Sequence, residues 1–268
     1  MSKNKKREIP NWNLPIIETH CHLDYLKQDS LENILAKSRE VGVEKIITIA
    51  VEPENLNSVL ELARAHGNIY CTQGLHPHEG KLYTDEVEAL ILENLKDENV
   101  VAVGEIGLDF HYNNSPEKEQ KDAFERQLQI ACDYNKPIVV HTREADEDTK
   151  AILKNFSNSL KRKGVIHSFT SSTWLAEFCL EEGFSIGFNG IITFNSAQNV
   201  RDVLSITPLE RILVETDAPF LTPIPFRGRE NAPFYLPFII EKIAEVKDCS
   251  IEQVLEKTYF NSKNLFDI

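Results

Sequence analysis

Short runs of β-branched and aliphatic residues recur along the chain, separated by longer stretches in which apolar positions return every three or four residues. That alternation is the signature of repeated βα units feeding a parallel sheet. It predicts strands over Ile16–Thr19, Lys45–Ala50, Ile69–Gln73, Val100–Gly104, Pro137–Val140, Gly164–Ile166, Ser185–Phe188 and Arg211–Val214. Between them the pattern predicts helices over Ser30–Val41, Glu54–His66, Asp85–Leu95, Pro116–Asn135, Glu144–Phe156 and Thr173–Glu182. Two more, over Pro233–Val246 and Ser250–Tyr259, follow the last strand. The span from Ile16 to Phe266 gives roughly 31 residues per unit, the size of a βα repeat. No linker rich in Pro, Ser or Gly interrupts it.

The expected fold is therefore α/β, a single (β/α)8 TIM barrel with C-terminal helices, not two small domains. Residues 1–14 are expected to form a flexible basic tail and residues 15–268 the barrel. The longest irregular stretches, 109–115 and 219–233, follow the fourth and eighth strands, where a barrel carries its working surface.

Composition narrows the class. With 41% hydrophobic residues, 11 Gly and 5 Cys, the chain is no collagen, disulfide scaffold or disordered polymer. The start, MSKNKKREIPNWN, has cations but no apolar run behind them, so a cytoplasmic protein without a membrane partner is expected. Cysteines 21, 71, 132, 179 and 249 are odd in number and form no CxxC pair, which predicts free thiols. Asp and Glu number 42 against 29 Lys and Arg, a net charge of -13. Such a protein repels nucleic acid at long range, so any polyanion must be held by a local device.

The strand ends supply one. His20 and His22 close the first strand as an H-x-H, and period two points both imidazoles to the barrel's interior. Cys21, between them, faces the opposite side. Other strands end in Glu105, His141, His167 and Asp217. Catalytic groups in a barrel come from the C-terminal ends of several strands. Four imidazoles and two carboxylates exceed the needs of one tetrahedral ion. Two divalent ions, of magnesium, manganese or zinc, are expected, with Glu105 as the bridging carboxylate.

The strings ETHCHLD, GLHPH, GEIGLDF, VHTREA, IHSFT, ETDAPFLTP, FRGRENAP and NSKNLF, in this order from about Ile16 to Phe266, resemble the TatD family of metal-dependent deoxyribonucleases, within the amidohydrolase-like TIM barrels. The resemblance implies a divalent-metal phosphodiesterase with DNA as its partner. It implies that His20, His22, Glu105 and Asp217 hold one ion, that Glu105, His141 and His167 hold the other, and that His76 stands catalytically near the substrate phosphate. The family pattern usually has Asp at the position of Glu18, Gly at Ser171, Asp at Glu144 and Glu at Ala232, departures that bear on supporting roles around the ligands.

The expected chemistry is phosphodiester hydrolysis by a metal-activated water, with Asp217 both a ligand and the acceptor of the water's proton. Arg143, Arg227 and Arg229 are candidates to clamp phosphates. Phe110, Tyr112, Phe220, Phe226 and Phe234 are candidate stacking faces for unpaired bases, which would favour single strands or ends over duplex. The alternative is hydrolysis of an ester or amide, such as an aminoacyl linkage, on the same barrel. No lysine stands at a strand end as a rival metal bridge. A monomer is expected. His66, His78 and His111 receive no role from the sequence.

Overall fold

The computed structural model describes residues 7–268. Eight parallel strands lie in sequence order in one sheet: β1 (Ile16–Cys21), β2 (Val43–Thr48), β3 (Ile69–Gln73), β4 (Val100–Asp109), β5 (Ile138–Arg143), β6 (Gly164–Ile166), β7 (Ser185–Phe188) and β8 (Ile212–Val214). The helices are α1 (Leu31–Glu40), α2 (Leu56–Ala65), α3 (Asp85–Asn94), α4 (Glu117–Asp133), α5 (Asp146–Phe156), α6 (Thr173–Glu181), α7 (Gln198–Ile206), α8 (Leu236–Lys247) and α9 (Ile251–Phe266). This is the expected (β/α)8 barrel with an additional C-terminal helix. None of the helices among the described residues is long and apolar enough to cross a membrane.

Side-chain caps start several helices where the sequence offers a hydroxyl. Ser30, Thr84, Ser172 and Ser250 accept from the N–H groups of Asn33, Val87, Leu175 and Gln253, satisfying donors that the first turn leaves free. In α9 the Gln253 side chain accepts in turn from the Ser250 backbone, completing a capping box.

Two apolar layers hold the barrel. A large cluster lies between sheet and helices, with Ile46, Leu60, Leu128, Ile186 and Ile240 among its buried members. A smaller one includes Ile47, Val101, Val139, Val165 and Leu213, with Phe266 of α9 packed into it. Val139, Val165 and Leu213 stand two residues before His141, His167 and Glu215, so the apolar layer and the polar groups share one face of their strands.

The structure extends several predicted strands. β4 runs to Asp109, five residues beyond the expected end, so Glu105 lies inside the strand and not after it. β1 and β5 likewise continue through His20 and His141. Apolar runs end where the polar lining of the mouth begins, but backbone pairing does not. Helix α7 is an element the periodicity missed: only Val200, Val203 and Leu204 are buried in its nine residues, and Ala197 provides no side-chain cap.

Residues 1–6 of the expected basic tail lie outside the described residues. In the remainder, Arg7 pairs with Glu241 at 2.5 Å, and Ile9, Trp12 and Leu14 pack against the core. All five cysteines are free, and the buried Cys21 thiol points to the Ile47 carbonyl at 3.8 Å.

Gly107 sits opposite His141 in the β4–β5 ladder with φ +141°, and a Cβ there would lie 1.9 Å from the His141 carbonyl oxygen. Gly107→Ala should therefore lower the free energy of unfolding by about 3 kcal/mol through overlap and backbone strain. Urea denaturation measures this; an unchanged midpoint would show that the two strands can separate at no cost.

Candidate metal centre

The six predicted ligand residues converge at the C-terminal mouth of the barrel. β1 delivers His20, and His22 follows immediately after the strand, both buried. β4 delivers Glu105, β5 delivers His141, and His167 directly follows β6. Asp217 lies three residues past β8 in the left-handed region, φ +58°, which Asp tolerates better than most residues. Its N–H donates to the His20 carbonyl at 2.9 Å, and the His22 N–H donates to the Ala218 carbonyl at 2.7 Å. The β8 and β1 chain ends are thus tied together where their ligands meet.

Glu105 divides the cluster in two. Its Oε2 lies 3.3 Å from His20 Nε2. Asp217 Oδ1 is 3.8 Å from that nitrogen and 3.5 Å from His22 Nε2. On the other side, Glu105 Oε1 lies 2.7 Å from His167 Nε2, 3.0 Å from His141 Nδ1 and 3.4 Å from His76 Nε2. His141 Nδ1 and His167 Nε2 are 3.4 Å apart. His20, His22 and Asp217 present atoms close enough to share an ion, and so do His20, Glu105 and His167, and His76, Glu105 and His141.

Three buried carboxylates outside the predicted ligand set stand behind these groups. Asp109 Oδ2 lies 3.1 Å from His141 Nε2 and 3.0 Å from His78 Nε2. Glu215 Oε1 accepts from the Ser168 N–H at 2.5 Å and faces His167 Nδ1 at 3.6 Å. Gly187 makes room for it, since a Cβ there would fall 2.5 Å from Glu215 Oε2. Glu18 accepts from the His20 and Thr216 N–H groups and from the Thr216 hydroxyl at 2.6 Å. Strand period was the available signal: Glu18 precedes His20, and Glu215 precedes Asp217, by two residues.

The electrostatics follow from burial. Desolvation opposes ionisation of Glu105, yet the surrounding His167, His76 and His20 hold its carboxyl well below the usual range. Burial likewise opposes the charge on Asp217, but His22, His20 and His167 hold it low. Burial works against protonated imidazoles too. It prevails at His20, and pushes His76 down to about 4. At His22 it is outweighed by Asp217, at His141 by Asp109 and Glu105, and at His167 by Glu105 and Glu215, so these three are raised. Burial pushes Glu18 up to about 8 against the bonds from Thr216 and His20.

The residues fit a divalent cation. Neither ring nitrogen of buried His20 has a hydrogen-bond partner, and the raised imidazoles hold protons only because carboxylates surround them. A dication placed among the same lone pairs would replace those protons, and the imidazole-rich set matches the ligand preferences of zinc and its transition-metal neighbours better than those of magnesium.

A cavity of about 690 Å³ opens over the cluster. Tyr112 and Phe220, 55% and 52% exposed, stand at it, and among the described residues Arg143 is the one Lys or Arg in its lining, with its guanidinium 4.7 Å from the Tyr112 ring centre. The other candidates lie elsewhere. Arg227 rests on Phe194 and Arg229 on Phe226, and neither lines the cavity. As a stacking face Phe226 is ruled out: it is buried against Tyr235 and Phe238, with Phe234 packed beside them. Phe110 packs against the core and borders a neighbouring groove. His78 lines the cavity, His111 Nδ1 pairs with Glu144 at 2.7 Å, and His66 caps the C-terminus of α2. Of the positions that depart from the family pattern, Ala232 is buried in a small cluster with Phe226 and does not line the cavity.

The family model described as TatD related DNase matches residues 17–267. YabD of Bacillus subtilis, described as an uncharacterized metal-dependent hydrolase, is 37% identical over 94% of this chain and 99% of its own length. The 3'-5' ssDNA/RNA exonuclease TatD of Erwinia amylovora is 35% identical over 88% of this chain and 93% of its own. The crystal structure of the TatD homolog YJJV from Escherichia coli superimposes with a TM-score of 0.89 at 32% identity, covering 94% of this chain and 98% of that one.

The raised imidazoles give a test that needs no substrate. Folded His22, His141 and His167 keep protons above the usual 6.5, so the stability they lend the chelator-treated protein is complete below pH 6.5 and lost as pH rises through their folded values. Glu18, raised to about 8, acts in the same direction, whereas His76, pushed down to about 4, and His20, also lowered, act below the usual 6.5. The melting temperature in chelator should fall between pH 6.5 and about 8, and added manganese should raise it more at the alkaline end. A chelated melting temperature that climbs across this window contradicts the assignment.

Proposed function

The chain belongs to the TatD family of metal-dependent hydrolases, and on that premise we propose that it hydrolyses phosphodiester bonds of DNA at single-stranded ends, using two divalent ions. The observation that carries this reading is the division of Glu105, one oxygen toward His20 and the other toward His141 and His167. His20, His22, Asp217 and Glu105 would hold one ion, and Glu105, His141 and His167 the other. Such a pair would acidify water and neutralise charge on a phosphoryl group.

The chain's own residues do the rest. Asp217, its side chain 14% exposed at the cavity, orients the attacking water and takes its proton. His76 Nδ1 accepts from the His78 N–H at 3.1 Å, so a neutral His76 carries its proton on Nε2. That makes it a hydrogen-bond donor beside Glu105, suited to a nonbridging phosphate oxygen. Arg143 has no ion-pair partner among the described residues and is free to hold a second phosphate. Tyr112 and Phe220 offer ring faces at the rim for an unpaired base. A cavity of about 690 Å³ has the dimensions of a small-ligand site, which takes an extruded or terminal nucleotide and excludes stacked pairs. The 3'-5' ssDNA/RNA exonuclease activity named for the Erwinia relative is in keeping with this reading.

With manganese or magnesium, end-labelled single-stranded DNA should be shortened stepwise, duplex more slowly, and an aminoacyl ester left intact. Asp217→Asn should lower turnover by about a thousandfold with the fold preserved by circular dichroism. Ester turnover without DNA cleavage would establish the ester or amide hydrolase instead.

A further inference from the structure

Asp109 ends β4, is 1% exposed, and has both carboxylate oxygens committed. Oδ1 accepts from the N–H groups of His111 at 3.0 Å and Tyr112 at 2.9 Å. Oδ2 lies 3.1 Å from His141 Nε2 and 3.0 Å from His78 Nε2. The backbone of Asp109 is pinned as well. Its N–H donates to Gln120 Oε1 at 2.8 Å, and Gln120 Nε2 donates to its carbonyl at 3.0 Å.

A carboxylate is an acceptor only, so an imidazole bonded to it presents an N–H at the nitrogen that faces it. For His141 that nitrogen is Nε2; Nδ1, which faces Glu105 Oε1 at 3.0 Å and His167, is the nitrogen left to lend its lone pair once a cation takes the place of the proton there. The corresponding contact on the neighbouring ring is looser. Glu215 Oε1 stands 3.6 Å from His167 Nδ1, beyond hydrogen-bond range, and that nitrogen has no partner. Asp109 is therefore the one carboxylate that bonds the outward nitrogen of a ligand-type histidine on the Glu105 Oε1 side.

We propose that Asp109 is a positioning residue that holds His141 in the Nε2-protonated tautomer and so sets the affinity of the Glu105–His141–His167 half of the centre for its ion. Through Oδ1 it also fixes the loop that carries Tyr112, so the ligand and the rim aromatic are placed by one side chain. This rests on the two-ion reading of the site but not on the nucleic-acid substrate.

Asp109→Asn breaks the arrangement whichever way the amide turns. With its oxygen on the loop N–H groups, its NH2 meets the two imidazoles and drives the His141 proton onto Nδ1. With its oxygen on the imidazoles, its NH2 opposes two backbone donors. Manganese titration of the full chain by calorimetry should show two binding events, one of which Asp109→Asn weakens by about 10–100-fold while leaving the other unchanged. Unchanged affinities, or equal weakening of both events, overturn the proposal. Nitrogen-15 NMR of His141 in the zinc-loaded wild-type chain does not depend on the variant folding: a proton on Nε2 is expected, and one on Nδ1 overturns the proposal by itself. Neither measurement uses a substrate, so failure of the nuclease reading would appear separately, as metal binding of this form without DNA cleavage.

Discussion

Burying carboxylates with no lysine or arginine beside them is the constraint on which the rest of this molecule depends. Glu18, Glu105, Asp109 and Glu215 are at most 2% exposed, and Asp217 adjoins them. Removing an ion from water costs several kcal/mol unless a partner replaces the solvent. The groups in salt-bridge range of Glu105, Asp109, Glu215 and Asp217 are all imidazoles. An imidazole answers a carboxylate either by holding a proton or by lending its lone pair to a cation that both share. The raised histidines are the first answer, and a divalent ion is the second. One arrangement thus serves the folded chain and its chemistry.

The same groups close the barrel. The ladder runs from β1 to β8, and the last seam is made by Thr19 donating to the Val214 carbonyl at 2.9 Å, by Glu18 receiving Thr216, by the Asp217 N–H donating to the His20 carbonyl and by the His22 N–H donating to the Ala218 carbonyl. Polar residues do here what a continuous ladder does elsewhere. Because β8 is only three residues long, its pairing alone gives little, and the bonds beyond Val214 are what bring Asp217 to His20 and His22. Loss of a carboxylate at this seam is therefore expected to act on closure and on ligand placement together.

Much of this was legible in the chain. Eight apolar runs at one spacing gave the barrel, and ligand-type residues at their ends gave the centre, because period two fixes which side chains share a face. The supporting carboxylates were harder to see. Asp109 lies in the GEIGLDF string, but the strand seemed to stop at Gly104, and only continued pairing with β5 brings it behind His141. Helix α7 escaped because it is only nine residues long and no side-chain cap at Ala197 marks its start, although Val200, Val203 and Leu204 share one face. The aromatics divided on burial, which composition does not encode: Tyr112 and Phe220 stand at the mouth, while Phe226 closes a small core with Tyr235 and Phe238.

Charge explains why such a centre suits an acidic protein. With a net charge of -13, long-range attraction to a polyanion is absent, and screening confines what remains to about 10 Å at moderate salt. Among the described residues, Arg143 is the only fixed cation lining the cavity. Under the proposed function, the binding energy for a phosphodiester comes from contacts at the reacting group, where metal-held charge would outweigh the distant surface. A long strand gains little from the flanking surface, where Glu144 and Glu147 border the neighbouring groove. That balance favours engagement of a terminal residue over extended coating, and it makes affinity depend on whether the centre is charged with metal before the substrate arrives.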